Sequence, residues 1–464
     1  MTDKKTSNIQ NKVIMVLSLF VFIVITIYRL LHHTPWYDEA QAWNIARYLD
    51  LSEIMSIVKT EGHPFLWYFI LKPFAVHNLF YPYSLQLINY SFLLAALFLM
   101  WKYSQFNIWI KVLITFSFPF LGIYSILARC YAVGILGLFA LTVLYQERIK
   151  KPLLYASLIF LTANTSIMAL VGASAFGLIH LYDLFISYKK NRNLKEFLVP
   201  VFILFFTVMM LFFQYFSLSI PAFVRNFNFA VQASAFFNNF YLHPLFKCLS
   251  YFIIPIVSVS FIFYVRKNAR CLFFILYCWS FLLLFFNFLY AGQDYHFYFL
   301  LIYFIIAYWL YLQGNSDKNI KFDKIFRVLF SLLLLLSCFK VSSSPWCFES
   351  KADKLAKNMA KTPELNSYTI YSSVLYTADL LPYLNSPNIK YYKGGELYDY
   401  KNLLNIYQED KNIFFDESSV PINNKSLFLI ETKYIGKFHS NKVSIKPFIV
   451  MDNFSFCKFE KRSK

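Results

Sequence analysis

Charged residues are scarce in this chain. Only 15% of its 464 residues are Asp, Glu, Lys or Arg and 58% are hydrophobic, whereas soluble domains carry roughly 25% charged and about 45–50% apolar residues. This composition excludes a water-soluble fold for the chain as a whole. Cysteine is also sparse, and the seven cysteines lack CxxC or CxxH spacing, which argues against a zinc site or a disulfide framework. The sequence has no internal repeat.

Acidic residues are the scarcer charged class. The 44 Lys and Arg outnumber the 25 Asp and Glu and give a formal net charge of +19. In a soluble protein this excess would suggest a nucleic-acid partner. Here the basic residues cluster between apolar segments, where they set the orientation of membrane helices. We therefore predict membrane lipid as a partner and no nucleic acid.

Long apolar runs are abundant. The run from Val13 to Leu31 carries one charge, Arg29, and the run from Phe197 to Ile220 carries none, so each is long enough to cross a hydrocarbon core of roughly 30 Å as a helix. A signal peptide is the alternative for the first run. We interpret it as a retained anchor because it is long and lacks a small-residue cleavage site before His32.

The basic connections predict the orientation of the chain. Lys4, Lys5 and Lys12 place the N-terminus in the cytoplasm, and four later connections join them there. Those connections are Glu147 to Lys151, Lys189 to Lys195, Arg266 to Arg270 and Lys318 to Lys324, with outer turns near Thr162 to Ser166, Pro221 to Leu245 and Ala291 to His296. The result is a polytopic α-helical membrane domain over residues 1–344 with about eleven spans, within a range of roughly ten to thirteen.

One segment does not fit this threading. Phe65 to Leu79 is 15 residues long and is interrupted by Lys72 and Pro73, which is short for a span. We predict that it is interfacial or re-entrant.

The last part of the chain, residues 345–464, has a different character. Apolar runs shorten and charge rises, which predicts a small soluble α/β domain outside the cytoplasm. KADKLAKNMAK is typical of a helix, and NIKYYKG, KSLFLIET and KPFIVMDNFSFCKF are typical of strands. YTIYSSVLY is typical of a strand or of a strand followed by a turn. No catalytic constellation is visible in it.

The outer loop over residues 32–68 concentrates ionisable groups beside the bilayer. Apolar residues recur there mostly every three or four positions, which predicts two short amphipathic helices on the membrane, beginning near Pro35 and Ser52. Asp38 and Glu39 fall in the first turn of the first helix. They either cap that helix, or one of them takes the proton from an attacking hydroxyl group.

The end of the same loop brings further polar residues. Glu61, Gly62, His63 and Pro64 return there toward the membrane. His63 is either a structural histidine at a loop end or a contact to a phosphate or an acceptor. Asn164 lies in a predicted outer turn, where polar turn residues are common, and is a weaker candidate for substrate binding.

The segment PWYDEAQAWNIARYLDLSEIMSIVKTEGHPFLWYFILKPF resembles the first periplasmic loop of polyprenyl-phosphate-dependent glycosyltransferases with the C-type (GT-C) membrane fold. This superfamily includes the protein O-mannosyltransferases and the lipid A aminoarabinose transferase. LARCYAVGILGLFALTVLYQER resembles the "aR-x-Ya" segment of related members and places Arg129 and Tyr131 at the outer membrane face. LTANTSIMAL and GQDYHFYFLLIYFIIAYWL resemble later stretches more weakly. The likeness covers roughly residues 10 to 310.

The resemblance implies an inverting transfer of one sugar from a polyprenyl-phosphate carrier to a lipid, glycan or protein acceptor at the outer face. By position, Asp38 matches the catalytic base and Glu39 the second acid. Arg129 would neutralise the leaving phosphate; the alternative is an arginine that snorkels to the headgroups. Glu61, His63, Tyr131, Asn164 and His296 would bind substrate. Where relatives carry an Arg-His pair, this chain has Asp294, Tyr295 and His296.

We predict no obligatory metal, although Asp38 and Glu39 are the residue types that bind a divalent cation. The localisation implied is the bacterial plasma membrane. Two rival functions stay open: a transporter or flippase for lipid-linked sugars, and a non-catalytic envelope assembly protein. A transporter should carry charged or broken helices near the middle of the membrane. The sequence places its charges mainly at the outer edge.

Overall fold

A computed structural model describes residues 2–215, 247–288, 290, 292–314, 320–343, 352–372, 380–384, 389–393, 396–398, 426–431, 443–451 and 454–461. The chain forms two compact units. The first, here called the helical unit, comprises Met1–Leu31, Glu61–Trp67 and Gln86–Trp346. The second, here called the mixed unit, comprises His32–Thr60, Tyr68–Leu85 and Cys347–Lys464.

Helices account for most of the described chain before residue 344. In chain order they are α1 (Thr2–Leu31), α2 (Tyr37–Tyr48), α3 (Leu51–Glu61), α4 (Leu66–Ala75), α5 (Tyr83–Tyr103), α6 (Ile108–Phe116), α7 (Tyr131–Leu144), α8 (Pro152–Ala163), α9 (Ile167–Asn191), α10 (Leu194–Tyr215), α11 (Lys247–Val265), α12 (Ala269–Phe288), α13 (Asp294–Gly314) and α14 (Ile320–Ser343). A π-helix, Phe118–Tyr124, follows α6.

Six of the described helices are long and apolar enough to cross a membrane. They contain Ile9–Leu31, Tyr83–Tyr103, Ile167–Asn191, Leu194–Tyr215, Ala269–Asn287 and Tyr295–Gly314. Four shorter apolar helical segments, Ile108–Tyr124, Tyr131–Glu147, Pro152–Ala163 and Ile254–Val265, accompany them. The prediction of a helical membrane protein is therefore confirmed, while the count of eleven spans stays a prediction. The predicted outer turn at 221–245 lies outside the described residues.

The spans differ in how much of their surface the protein itself covers. In α13, 89% of the most apolar window is buried, and Tyr298, Tyr303 and Trp309 lie fully inside. In α10 only 17% of that window is buried, and large side chains such as Phe202 and Phe205 are exposed. A wide exposed apolar face is what a lipid-facing helix presents. Thus α13 belongs to the core of the helical unit, and α10 has a surface suited to lipid.

The segment after α6 departs from regular helix. Ser117 ends α6, and Pro119, which has no N–H to donate, opens a π-helix that runs to Tyr124. Carbonyl groups in the last turn of a helix lack intrahelical N–H partners and need other donors. Arg29 in α1, almost fully buried, supplies them by donating to the carbonyls of Leu121 and Gly122. The one charged residue of the first apolar run therefore lies inside the helical unit.

The segment from Phe65 to Leu79, which does not fit the predicted threading, forms only a short helix. Helix α4 covers ten residues and contains Pro73, well short of the roughly 20 residues that a span needs. Its length agrees with an interfacial or re-entrant segment. Its position in a membrane stays a prediction.

The two helices predicted over residues 32–68 are confirmed as α2 and α3, which begin at Tyr37 and Leu51, close to the predicted starts. Asp50, not Ser52, caps α3: its carboxylate accepts from Glu53 N–H at 2.8 Å, and the Glu53 carboxylate accepts from Asp50 N–H at 2.8 Å. This reciprocal pair is a capping box. Ser52 instead donates its hydroxyl to the Asp50 carboxylate at 2.7 Å.

The mixed unit contains a six-stranded sheet. Its strands are β1 (Thr369–Ser372), β2 (Ile389–Lys393), β3 (Glu396–Tyr398), β4 (Ser426–Glu431), β5 (Val443–Met451) and β6 (Phe454–Lys461), in the order β3-β2-β1-β4-β6-β5. β1 lies parallel to β2 and β4, whereas the outer strands pair antiparallel. A short helix, α15 (Ala352–Ala360), precedes the sheet. The predicted helix and strands are confirmed, and β3 was not predicted.

Asn78 connects the loop helices to the rest of the mixed unit. Trp43 Nε1 in α2 donates to Asn78 Oδ1 at 2.9 Å, and Asn78 Nδ2 donates to the Pro382 carbonyl at 2.8 Å. The rings of Tyr81 and Tyr383 pack edge to face with centroids 5.0 Å apart. The loop helices and the C-terminal residues therefore share one packed unit.

Candidate functional site

The predicted site residues fall into both units. Asp38 and Glu39 belong to the mixed unit, and the other six belong to the helical unit. Among those six, four side chains come together in the helical unit: His63, Arg129, Tyr131 and His296.

Glu39 is fully buried and its carboxylate is engaged within its own unit. Both oxygens contact His33 Nε2, at 2.9 and 3.2 Å, and Oε2 also accepts from Trp36 N–H at 3.1 Å. His33 is buried as well. Glu39 occupies the third position of α2 and caps it in the manner of a capping box. These contacts account for Glu39 as a structural residue.

Asp38 differs from its neighbour. It lies in the first turn of α2, as predicted, but its side chain is only half-buried. An Asp at this point of a helix is stabilised by the helix dipole. A carboxylate that keeps access to solvent is also able to accept a proton. Of the two predicted acids, Asp38 is the more exposed one.

A line of hydrogen bonds joins three of the helical unit's site residues. The Tyr131 hydroxyl lies 2.8 Å from His296 Nε2 and 3.4 Å from His63 Nε2. His296 Nδ1 in turn accepts from the backbone N–H of Gln293 at 2.9 Å. We call His63, Tyr131 and His296 the histidine-tyrosine cluster.

Tyr131 is held at the centre of this cluster by aromatic packing. It is the first residue of α7 and is fully buried. Its ring packs within about 6 Å of three groups of aromatic neighbours, which are Tyr124, Tyr295 with His296, and Phe299. Because neighbouring rings pack against it on several sides, the Tyr131 ring is held in a conformation that keeps its hydroxyl beside the two histidines.

The start of α13 fixes the position of His296. Gly292 has φ +70°, a conformation that favours glycine, two residues before the helix begins. His296 is the third residue of α13 and accepts from the Gln293 N–H, the place that Glu or Gln takes in a capping box. The Tyr124 hydroxyl donates to the Tyr295 carbonyl at 2.6 Å and secures this turn.

His63 is positioned by the chain on both sides of it. Gly62 has φ +73° and makes the turn after α3. Beyond His63, Phe65 N–H donates to the Gln214 side chain at 3.1 Å and Leu66 N–H donates to the Asn164 carbonyl at 3.2 Å. Gln214 also donates to Asn164 Oδ1 at 2.9 Å. Asn164 thus lies fully buried in a network that holds the segment after His63.

The electrostatic environment keeps His63 neutral. Burial, and secondly the positive charge of Arg129, lower the pKa of His63 from 6.5 to about 3. Although the residue as a whole is partly exposed, its Nδ1 is buried and has no hydrogen-bond partner among the described residues. An uncharged imidazole with one unused nitrogen is ready to bind a ligand.

Arg129 supplies the positive charge beside this cluster. Its guanidinium lies 6.0 Å from the centre of the Tyr131 ring, and its side chain is half-buried in the segment between the π-helix and α7. Glu61, the last residue of α3, also lies in the helical unit. The cluster and Arg129 together provide a cation and a neutral imidazole near the start of α7.

No group of three or more His, Cys, Asp or Glu side chains in the described part of the chain is arranged to hold a metal ion. The alternative of a divalent cation at Asp38 and Glu39 fits poorly, because both Glu39 oxygens already contact His33. We therefore assign no metal to these two residues.

Sequence reasoning missed three partners of the site residues: His33 with Glu39, Gln214 with Asn164, and Gln293 with His296. A buried acid at the third helical position and a glutamine among apolar residues are signals that such residues have partners inside the protein. The contact from Gln293 to His296 is made by the backbone N–H of Gln293, so the residue type at position 293 gives no signal of it.

No protein-family model, no curated protein and no solved structure matches this chain.

Proposed function

We propose that this chain is a membrane glycosyltransferase that moves one sugar, with inversion, from a polyprenyl-phosphate carrier to an acceptor on the outer face of a bacterial plasma membrane. The observation that carries the proposal is the arrangement of Arg129 beside the histidine-tyrosine cluster. A fixed cation and hydrogen-bond donors are what a leaving phosphate needs as its negative charge develops. The resemblance of the outer loop and of the Arg129 segment to GT-C enzymes supports the same function.

The reaction is a single displacement. An acceptor hydroxyl oxygen forms a bond to the anomeric carbon, the bond from that carbon to the carrier phosphate breaks, and the phosphate leaves with the electron pair. A carboxylate takes the proton of the attacking hydroxyl. We assign this role to Asp38 on its position in the loop motif and on its partial exposure. Glu39 supports α2 instead of acting as a second catalytic acid.

The proposal is tested by measuring transfer of radiolabelled sugar from a panel of polyprenyl-phosphate donors to cell-envelope acceptors. We expect Asp38→Asn to lower transfer by about a hundredfold or more, the scale of a general base. Asp50→Asn is the matched control, because it makes the same change in the same loop and Asn caps a helix as well as Asp does. Equal loss in both variants, or none in Asp38→Asn, would count against Asp38 as base.

A transporter of lipid-linked sugars is the second candidate, and the π-helix with its buried Arg29 favours it, because broken helices and internal charges mark transport paths. Its test is movement of a fluorescent prenyl-phosphate lipid across proteoliposomes that contain the full chain. Movement that Asp38→Asn does not affect, together with no transfer by the wild-type protein across the donor panel, would replace the glycosyltransferase with the transporter.

A further inference from the structure

The histidine-tyrosine cluster is a chain of hydrogen bonds whose direction is set at one end by a backbone group. A backbone N–H can only donate. The Gln293 N–H lies 2.9 Å from His296 Nδ1, so this nitrogen must be an acceptor and cannot carry a proton. Neutral imidazole has one protonated nitrogen. The proton of His296 is therefore on Nε2.

This assignment decides the next hydrogen bond. His296 Nε2–H lies 2.8 Å from the Tyr131 hydroxyl oxygen and donates to it. The hydroxyl has one hydrogen of its own, and its other neighbour in the cluster is His63 Nε2 at 3.4 Å. A hydroxyl oxygen can accept two hydrogen bonds, but a buried O–H that finds no acceptor is costly. The tyrosine O–H therefore donates to His63 Nε2, and this nitrogen is then unprotonated. The proton of neutral His63 is then on Nδ1.

We propose that Tyr131 and His296 are positioning residues that hold His63 as the Nδ1–H tautomer, so that His63 donates a hydrogen bond to an anionic oxygen of a bound phosphate. His63 Nδ1 is buried and has no partner among the described residues. A buried donor without a partner is costly, and a ligand oxygen removes that cost. Arg129 lies beside Tyr131 and adds positive charge, which favours a phosphate over a neutral ligand.

This assignment limits the roles that His63 can have in the reaction. A histidine whose Nε2 is occupied and whose Nδ1 carries the proton has no lone pair left to accept one. His63 therefore serves as a donor and not as the base of the reaction. The inference deepens the proposed function, because the phosphate that it would hold is the leaving group of the proposed transfer. It does not depend on transfer being observed.

The tautomer is measured directly by nuclear magnetic resonance of the full chain in lipid nanodiscs with its eight histidines labelled with 15N. His63→Asn identifies the His63 signals by their loss. We expect the wild-type protein to show neutral His63 with the proton on Nδ1 at neutral pH. Tyr131→Phe removes the central hydroxyl, and we expect His63 to lose this fixed tautomer.

The matched control is Tyr155→Phe. Tyr155 is also fully buried, and its hydroxyl has no hydrogen-bond partner among the described residues. This variant should leave the His63 signals unchanged. A wild-type His63 that is protonated on Nε2 or charged at neutral pH, or a Tyr131→Phe variant with the wild-type tautomer, would overturn the inference.

The ligand is tested by adding farnesyl phosphate, farnesol or inorganic phosphate to the same samples. We expect both phosphates to shift the His63 Nδ1–H signal and farnesol to leave it unchanged. Binding of farnesyl phosphate at lower concentration than inorganic phosphate would assign the site to a lipid-linked phosphate, and the reverse order to the free ion. We expect His63→Asn to weaken phosphate binding by about ten- to a hundredfold, the range for a hydrogen bond to a charged group.

An equal shift with farnesol, or no shift with either phosphate, would overturn the donor role of His63. The transfer assay is independent of these measurements. A protein that shows the expected tautomer and phosphate response but transfers no sugar would contradict the glycosyltransferase and leave this inference standing.

Discussion

Two ionisable groups in the described part of this protein, the Glu39 carboxylate and the His63 imidazole, differ in how completely their hydrogen-bonding atoms are satisfied. In the mixed unit, both oxygens of the buried Glu39 carboxylate contact His33 Nε2, and one of them also accepts from the Trp36 N–H. In the helical unit, the histidine-tyrosine cluster is satisfied at one end, by the Gln293 N–H, and leaves His63 Nδ1 without a described partner at the other.

This difference in pairing distinguishes residues with a structural role from residues that bind a ligand, which the residue type alone does not. A buried acid that is fully paired contributes to the folded structure and has no oxygen left to bind a ligand. A buried donor that is unpaired costs free energy in the folded protein and regains it when a ligand binds. We therefore expect damage to the first group to appear mainly as lost stability and damage to the second mainly as lost ligand binding or transfer.

The largest expected effect is a loss of stability when the contact between Glu39 and His33 is removed. Glu39→Ala leaves His33 buried without its carboxylate and removes the cap of α2, and we expect it to lower the free energy of unfolding by about 3–5 kcal/mol. Thermal unfolding of the purified protein in detergent measures this. Glu53→Ala, which removes the capping carboxylate of α3 at a more exposed position, should cost only about 1 kcal/mol. Equal losses would mean that burial of Glu39 contributes nothing.

The next largest effect is a loss of sugar transfer when the positive charge of Arg129, beside the histidine-tyrosine cluster, is removed. Arg129→Gln keeps a polar side chain but removes the charge that would face the leaving phosphate, and we expect transfer to fall by about a hundred- to a thousandfold with little change in melting temperature. Arg266→Gln is the control, because Arg266 is exposed in the connection between α11 and α12. A normal rate in Arg129→Gln would indicate an arginine that only contacts headgroups.

A smaller effect is expected at the network behind His63. Asn164→Ala removes one of the two acceptors of Gln214 Nε2, which keeps its bond to the Met210 carbonyl at 3.1 Å. One buried N–H is then left without an acceptor, which should cost about 1–3 kcal/mol of stability. Since Leu66 donates to the backbone carbonyl of Asn164, that contact survives. Phosphate binding measured on the variant should fall by less than in His63→Asn. A complete loss of binding with normal stability would make Asn164 a direct ligand contact.

The smallest effect is a pH dependence. The pKa of His63 is lowered in the folded protein from 6.5 to about 3, so between these values the unfolded chain binds more protons than the folded one. Stability from this residue is complete above pH 6.5 and is lost as the pH falls toward 3, with a loss of roughly 1 kcal/mol at pH 6. The melting temperature of the wild type should therefore fall relative to that of His63→Asn on acidification. Parallel curves would contradict the shift.

Much of the helical architecture is predictable because bilayer thickness sets the length of an apolar helix. The runs that form α1, α9 and α13 are visible by composition alone, and the two loop helices follow from their periodicity. The capping residue of α3 could not be chosen from sequence because Asp50 and Ser52 are both good caps, and only the reciprocal bond with Glu53 decides between them. β3 is three residues long, too short for alternation to reveal it.

The candidate site was predicted less evenly. His63, Arg129, Tyr131 and His296 were each singled out along the chain, but their proximity was not, because the residues come from four separate segments. The roles of Asp38 and Glu39 were not separable from sequence. Adjacent residues on a helix point in different directions, so one meets His33 inside the unit and the other stays half-exposed.

The sequence by itself determined that this chain enters a membrane, since its apolar runs cannot be solvated by water, and it determined which segments carry ionisable groups near their ends. Only the tertiary structure decided which of those groups are paired. Hydrogen bonding depends on distance and direction between residues far apart in the chain, as between Tyr131 and His296, and composition and periodicity carry neither quantity. The open nitrogen of His63 is for that reason a property of the fold.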